Sequence, residues 1–154
     1  MTREFDAQMV AALVGFWIAR GRPVLIEAVL VLTDLTEDAV RQQFVAIAEA
    51  IPAKRNGRVA LYPDGDELSE DPPERYGHWA SAKRAARAGF TLARRGWLTT
   101  DTIREVTGLS APAAVHLAHK LEYALPVYRK ERQNKKRGGK RYQWYVSRRS
   151  TEMG

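Results

Sequence analysis

The densest chemistry in this 154-residue sequence is cationic. Between positions 129 and 141 stand Arg129, Lys130, Arg132, Lys135, Lys136, Arg137, Lys140 and Arg141, and Glu131 alone opposes them. Arg148 and Arg149 follow shortly after. A run of this density suits a polyphosphate, whose contacts are electrostatic and salt-sensitive. Just upstream, Ser110, Ala111, Val115, His116, His119 and Lys120 fall on the outward side of a helical pattern whose inward side is Ala114, Leu117, Ala118 and Leu121. Lysine reaches guanine, and small apolar groups touch a thymine methyl. Lys83, Arg84 and Arg87 form a third, weaker basic set for phosphate. These residues together predict binding to double-stranded DNA.

Other chemistries find little support. His116 and His119 have the spacing of two metal ligands on one helix, but His78 is the other histidine and completes no ligand pattern. No metal and no cofactor is expected. There is no P-loop, no dinucleotide fingerprint and no His-Glu-x-x-His pair, so the chain does not read as an enzyme. Cysteine is absent, which removes disulfides and thiolate metal sites. No apolar run approaches a membrane span, and residues 1–6 lack the order of a signal peptide. A cytoplasmic, nucleoid-associated protein without a membrane partner is the expectation, and no small-molecule ligand is identifiable.

Charge divides the chain. Residues 1–74 hold 7 Lys/Arg against 13 Asp/Glu, a net of −6, whereas residues 75–154 hold 18 against 5, a net of +13. An acidic stretch with paired prolines, residues 64–74, marks the border and reads as a linker. The expected domains are therefore 1–63 and 75–149, with 150–154 as a tail.

The two sides repeat each other. At a shift of 74 positions Ala11-Ala12 falls on Ala85-Ala86, Gly15-Phe16 on Gly89-Phe90, and Ala19-Arg20 on Ala93-Arg94. Thr33 meets Thr107, Leu35 meets Leu109, and Ile51-Pro52 meets Leu125-Pro126. The match runs ungapped from 11 to 55. Arg58 to Tyr62 then matches Arg141 to Tyr145 at a shift of 83, so the second copy carries nine extra residues in its last hairpin. Internal duplication is the expectation.

Each copy predicts a long helix (5–19 and 76–94), a short one (24–32 and 99–107), and a third (37–50 and 111–124). Thr36 and Ser110 stand at N-cap positions of the third helix, and Gly108 at a C-cap. Two strands around a turn close each unit, at Arg55-Asn56-Gly57 in the first and between Gln133 and Lys140 in the second. Trp79, Phe90 and Trp97 are expected in the core. The fold class is mainly α with small β-hairpins, α+β.

This order of three helices and a hairpin, with the segment Leu98 to Ser110, resembles the winged helix-turn-helix family, twice over. Tandem winged helices are similar to plasmid and phage regulators and replication initiators, and to small subunits of chromosome-condensing complexes. The resemblance implies two tandem winged helix-turn-helix domains. Its functional counterpart is sequence-specific binding of double-stranded DNA as a transcriptional regulator of bacterial or mobile-element type. A replication or recombination accessory factor and a tandem winged-helix interaction scaffold are the alternatives.

The first copy is differently equipped. Its third helix opens Glu37-Asp38, which repels phosphate. Its second helix sets Ile26, Leu30 and Val31 where the other copy has Thr100, Arg104 and Glu105. An apolar replacement of a polar face predicts a partner, and a homodimer through Ile26, Leu30 and Val31 is the expectation.

Overall fold

The computed structural model describes residues 5–57, 60–69, 78–134 and 139–147. It is α+β, with two small three-stranded antiparallel sheets.

The first half runs α1 (Ala7–Ala19), β1 (Val24–Leu25), α2 (Ile26–Leu30), α3 (Glu37–Ala50), β2 (Ala53–Asn56) and β3 (Ala60–Pro63). The second runs α4 (His78–Arg95), β4 (Trp97–Thr99), α5 (Thr100–Thr107), α6 (Ala111–Ala124), β5 (Val127–Asn134) and β6 (Gly139–Val146). The order of types is the same in both. So is the strand order, β1-β3-β2 and β4-β6-β5.

Local chemistry explains the boundaries. Asp6, Thr36, Thr99 and Ser110 each present a side-chain oxygen to a backbone N–H in the first turn of the helix that follows. Gly108 closes α5 at φ +73°, a conformation that side chains rarely take. The third helices, α3 and α6, keep the 74-residue offset at both ends. The turn before each is tied in the same way. Thr33 is buried and its Oγ1 accepts from Leu35 N at 3.2 Å; Thr107 is buried and its Oγ1 accepts from Leu109 N at 3.2 Å.

Two elements differ from the sequence expectation. Val24–Leu25, expected as the start of a helix, is strand β1, and Trp97–Thr99 is strand β4. Each lies across from the last strand of its half, with Val24 opposite Leu61 and Leu98 opposite Trp144. Strands of two or three residues show no periodicity, so only the partner reveals them.

The halves share one core. Buried residues of both form a single hydrophobic cluster, centred where α1 lies on α4. The contact faces are small: Ala11, Ala12 and Gly15 on α1, Ala85, Ala86 and Gly89 on α4, and the four alanines are at most 1% exposed. Small side chains let two helix backbones approach closely. The third helices cross over, so that α3 packs on α4 and α6 packs on α1.

Candidate nucleic-acid interface

Helix α6 owes its orientation to a buried stripe, Ala114, Leu117, Ala118 and Leu121, each at most 1% exposed. That stripe turns Ala111, Pro112, Val115, His116 and His119 outward, and all are exposed. Ser110 is exposed too, and its Oγ caps the helix by accepting from Ala113 N at 3.4 Å. The outward face of the first three turns carries no acid.

Lys120 does not belong to that face. Its ammonium lies 2.8 Å from Asp6 Oδ2 and donates to Gln8 Oε1, while Gln8 Nε2 donates to Ser81 Oγ at 2.9 Å. The lysine expected to read bases thus joins α6 to the start of α1. Burial raises the Asp6 carboxyl's pKa, but the hydrogen bonds from Lys120 and from Met9 N outweigh it and hold the group below the ordinary carboxylate value.

The hairpin β5–β6 begins beside α6. Glu122 on α6 lies 3.6 Å from Arg129 Nε and 3.8 Å from His119 Nδ1. Arg129 stacks over Tyr142, its guanidinium carbon 4.6 Å from the ring centre. Lys130 is exposed, with its ammonium 6.0 Å from the Tyr145 ring. Arg132 pairs in register with Arg141, and Gln133 with Lys140. Lys135, Lys136 and Arg137, like Arg148 and Arg149, lie outside the described residues.

Helix α4 corrects part of the supporting set. Arg87 is 3% exposed and turned inward. Its guanidinium donates to Val106 O, to Ala50 O at 3.2 Å, and to Ser69 O at 2.9 Å and Oγ at 3.3 Å. Val106 and Ala50 end α5 and α3, where helix dipoles leave partial negative charge. A cation so enclosed cannot meet phosphate. Lys83 is paired to Glu49 at 2.8 Å, and Arg84 is half-buried. Ser69 belongs to the stretch expected as a linker, and Arg87 fastens it to the body of the protein.

The expected dimer set also divides. Ile26 is 1% exposed and sits in the core of its own half, so it is not a contact surface. Leu30 is half-buried and Val31 is 64% exposed. Leu25, displaced onto β1, joins Val31 outside at 49%.

The first half offers a groove of about 260 Å³ between α3 and the β2–β3 hairpin, lined by Asp38, Arg41, Gln42, Arg55 and Gly57. Its charges are mixed, and Arg41 is held by Glu37 at 3.2 Å. Among the described residues no three His, Cys, Asp or Glu side chains gather as a metal site, and no helix is long and apolar enough to cross a membrane.

The sequence expectation misplaced one member of the outer face of the second sheet. Trp97, expected in the core, is partly exposed; it stands opposite Tyr145, which in turn stands opposite Tyr128. Leu98 is the fully buried member of Trp97, Leu98 and Thr99, an alternation too short to read without its partner strand.

No protein-family model matches the chain, and no curated protein does.

Proposed function

We propose that this chain is a tandem winged helix-turn-helix protein, produced by internal duplication, whose C-terminal half binds double-stranded DNA in a sequence-specific way as a transcriptional regulator. The repeated element order, the repeated strand order and the matching threonine turns support the architecture. In this reading the exposed face of α6 enters the major groove and the β5–β6 wing follows the backbone or the minor groove.

The observation that carries the reading is a contrast between equivalent helices. The outward residues of α6 are Ala111, Pro112, Val115, His116 and His119, beside a cationic hairpin; those of α3 include Glu37, Asp38 and Glu49. Like charges repel phosphate, so the second copy is the DNA-facing one and the first is left to organise the assembly. In this proposal two chains pair through the first copy, over Leu25, Val31 and the rim of Leu30.

The test is duplex binding followed by fluorescence anisotropy at several salt concentrations, for the wild type and for the triple variant Lys135→Glu, Lys136→Glu, Arg137→Glu. Phosphate contacts position the protein without reading sequence, so the variant should weaken on target and random duplexes alike. The slope of log affinity against log salt should flatten by about 0.9 for each phosphate no longer neutralised. An unchanged slope removes the wing from the interface.

A further inference from the structure

The β4-β6-β5 sheet has two unlike faces. Leu98 and Trp144 line the inner one, at 0% and 2% exposure. On the outer one, register places Trp97, Tyr145 and Tyr128 side by side across all three strands. Tyr128 and Tyr145 stack with ring centres 5.6 Å apart and planes inclined by 22°. Tyr128 is 47% exposed, and Trp97 and Tyr145 are partly exposed. Cations flank the row, Arg95 lying 5.7 Å from the Trp97 ring centre and Lys130 6.0 Å from that of Tyr145. Two register positions along, Thr99, Gln143 and Lys130 share the same face. Gln143 is 6% exposed, and its Oε1 accepts no hydrogen bond from any described residue.

A row of aromatic rings usually earns its exposure by meeting another planar surface. From this arrangement we infer that the outer face of the second sheet is a stacking platform for unpaired bases of single-stranded DNA. The rings offer π-faces that any base can cover, and the flanking Arg95 and Lys130 complement the phosphates between bases. Charge complementarity selects the occupant: in a half with a net charge of +13, a neutral or basic peptide would leave these cations unmatched. The first half lacks the feature, since Lys54 and Tyr62 pair where the second has Tyr128 and Tyr145. The platform is separate from α6 and does not require duplex binding.

The probe is a fluorescein-labelled 15-nucleotide oligo-dT, read by anisotropy and by quenching of tryptophan emission, with a 20-base-pair duplex and a 15-nucleotide oligo-U as comparisons. The wild type should bind oligo-dT with quenching of tryptophan emission, and Trp97→Phe should remove most of that quenching. Tyr128→Ala with Tyr145→Ala should weaken that binding by about tenfold or more, following the worth of base–aromatic stacking. Tyr128→Phe with Tyr145→Phe should restore it, because the rings and not the hydroxyls stack. Tyr128→Glu, at the most exposed ring, gives the same answer should the double alanine variant fold poorly. Oligo-dT binding indifferent to all these changes overturns the platform, as does the absence of oligo-dT binding by the wild type. Tighter binding of oligo-U than of oligo-dT overturns the choice of DNA. Loss of duplex binding alone, with the oligo-dT result intact, would instead count against α6 and the wing.

Discussion

Gly15 and Gly89 make the same contact in opposite directions. A Cβ on Gly15 would lie 2.1 Å from the carbonyl oxygen of Ala86, and one on Gly89 would lie 2.0 Å from that of Ala12. Since Gly15 corresponds to Gly89 and Ala12 to Ala86, the crossing of α1 and α4 carries an approximate two-fold relation within a single chain.

The first prediction follows from those distances. The clashing atoms are backbone, so α1 and α4 must separate to admit a methyl group. Gly15→Ala and Gly89→Ala should each destabilise the protein by about 2–4 kcal/mol, as overpacking does at its upper range. Separation relieves both sites at once, so the double variant should cost less than the sum of the two. Urea denaturation of the three variants checks this; full additivity would mean the helices do not move as rigid bodies.

Arg87 supplies the second. Arg87→Leu leaves the carbonyls of Ala50 and Val106 and the main chain of Ser69 without their donor. It should cost about 1–3 kcal/mol or more, the range for leaving buried acceptors unsatisfied. Arg87→Lys should rescue little of it, because an ammonium cannot reproduce a fork that reaches three segments. The salt dependence of DNA binding should stay at the wild-type slope in Arg87→Lys protein that remains folded. A flattened slope would mean this guanidinium contacts phosphate.

A third prediction concerns α6, the proposed reading helix. His116→Ala with His119→Ala should blunt discrimination between target and random duplexes, by roughly 1–3 kcal/mol for each base that is no longer read. Lys120→Ala should lower stability and leave discrimination unchanged, since that side chain is committed to Asp6 and Gln8. Competition binding on the two variants separates the roles.

These residues show what the sequence could and could not disclose. The offset of 74 residues predicted α3 and α6 to the residue, because long amphipathic helices carry their period and their caps in the local sequence. The basic run from Arg129 to Arg141 was equally plain as composition. What escaped was pairing at a distance. Lys120 and Arg87 have the composition of phosphate contacts, and only the crossing of α6 over α1 and of α4 past the ends of α3 and α5 turns them inward. Ile26 was misplaced for a related reason: with Val24–Leu25 in a strand, α2 starts later and rotates Ile26 into the core. Trp97 went the other way, out of the core, through a strand nearly as short.

Acidity provides the fourth prediction. The folded pKa of Asp6 lies below its unfolded value, so its contribution is complete above about pH 4 and fades as pH falls through the folded value. Asp6→Asn keeps a capping side chain and removes the charge. With Asp6 about half exposed, the loss at neutral pH should be below about 1 kcal/mol. The variant's stability should match the wild type's only at low pH. Denaturation midpoints between pH 2 and pH 7 check this; parallel curves would uncouple Asp6 from Lys120.

The fifth concerns self-association. Val31→Glu adds a charge on the surface and should leave folding intact while separating a dimer built on Leu25 and Val31. Ile26→Glu should unfold the protein, since it buries an unpaired charge in place of a side chain whose burial contributes about 1.5–3 kcal/mol. Light scattering with circular dichroism distinguishes them. A wild type that is monomeric at tens of micromolar would leave the first half without that partner.

The α1–α4 crossing also sets a timetable for synthesis. Gly15 leaves the ribosome 74 residues ahead of Gly89, about 4–15 s at ordinary elongation rates. Throughout that interval the Ala11, Ala12 and Gly15 face of α1 lacks α4, and the core that the two halves share is incomplete. The face left waiting is alanine and glycine in place of leucine or isoleucine, and it offers a passing chain little apolar area to seize. The residues that permit the closest approach in the finished protein are thus also the least adhesive ones to expose while it is being made.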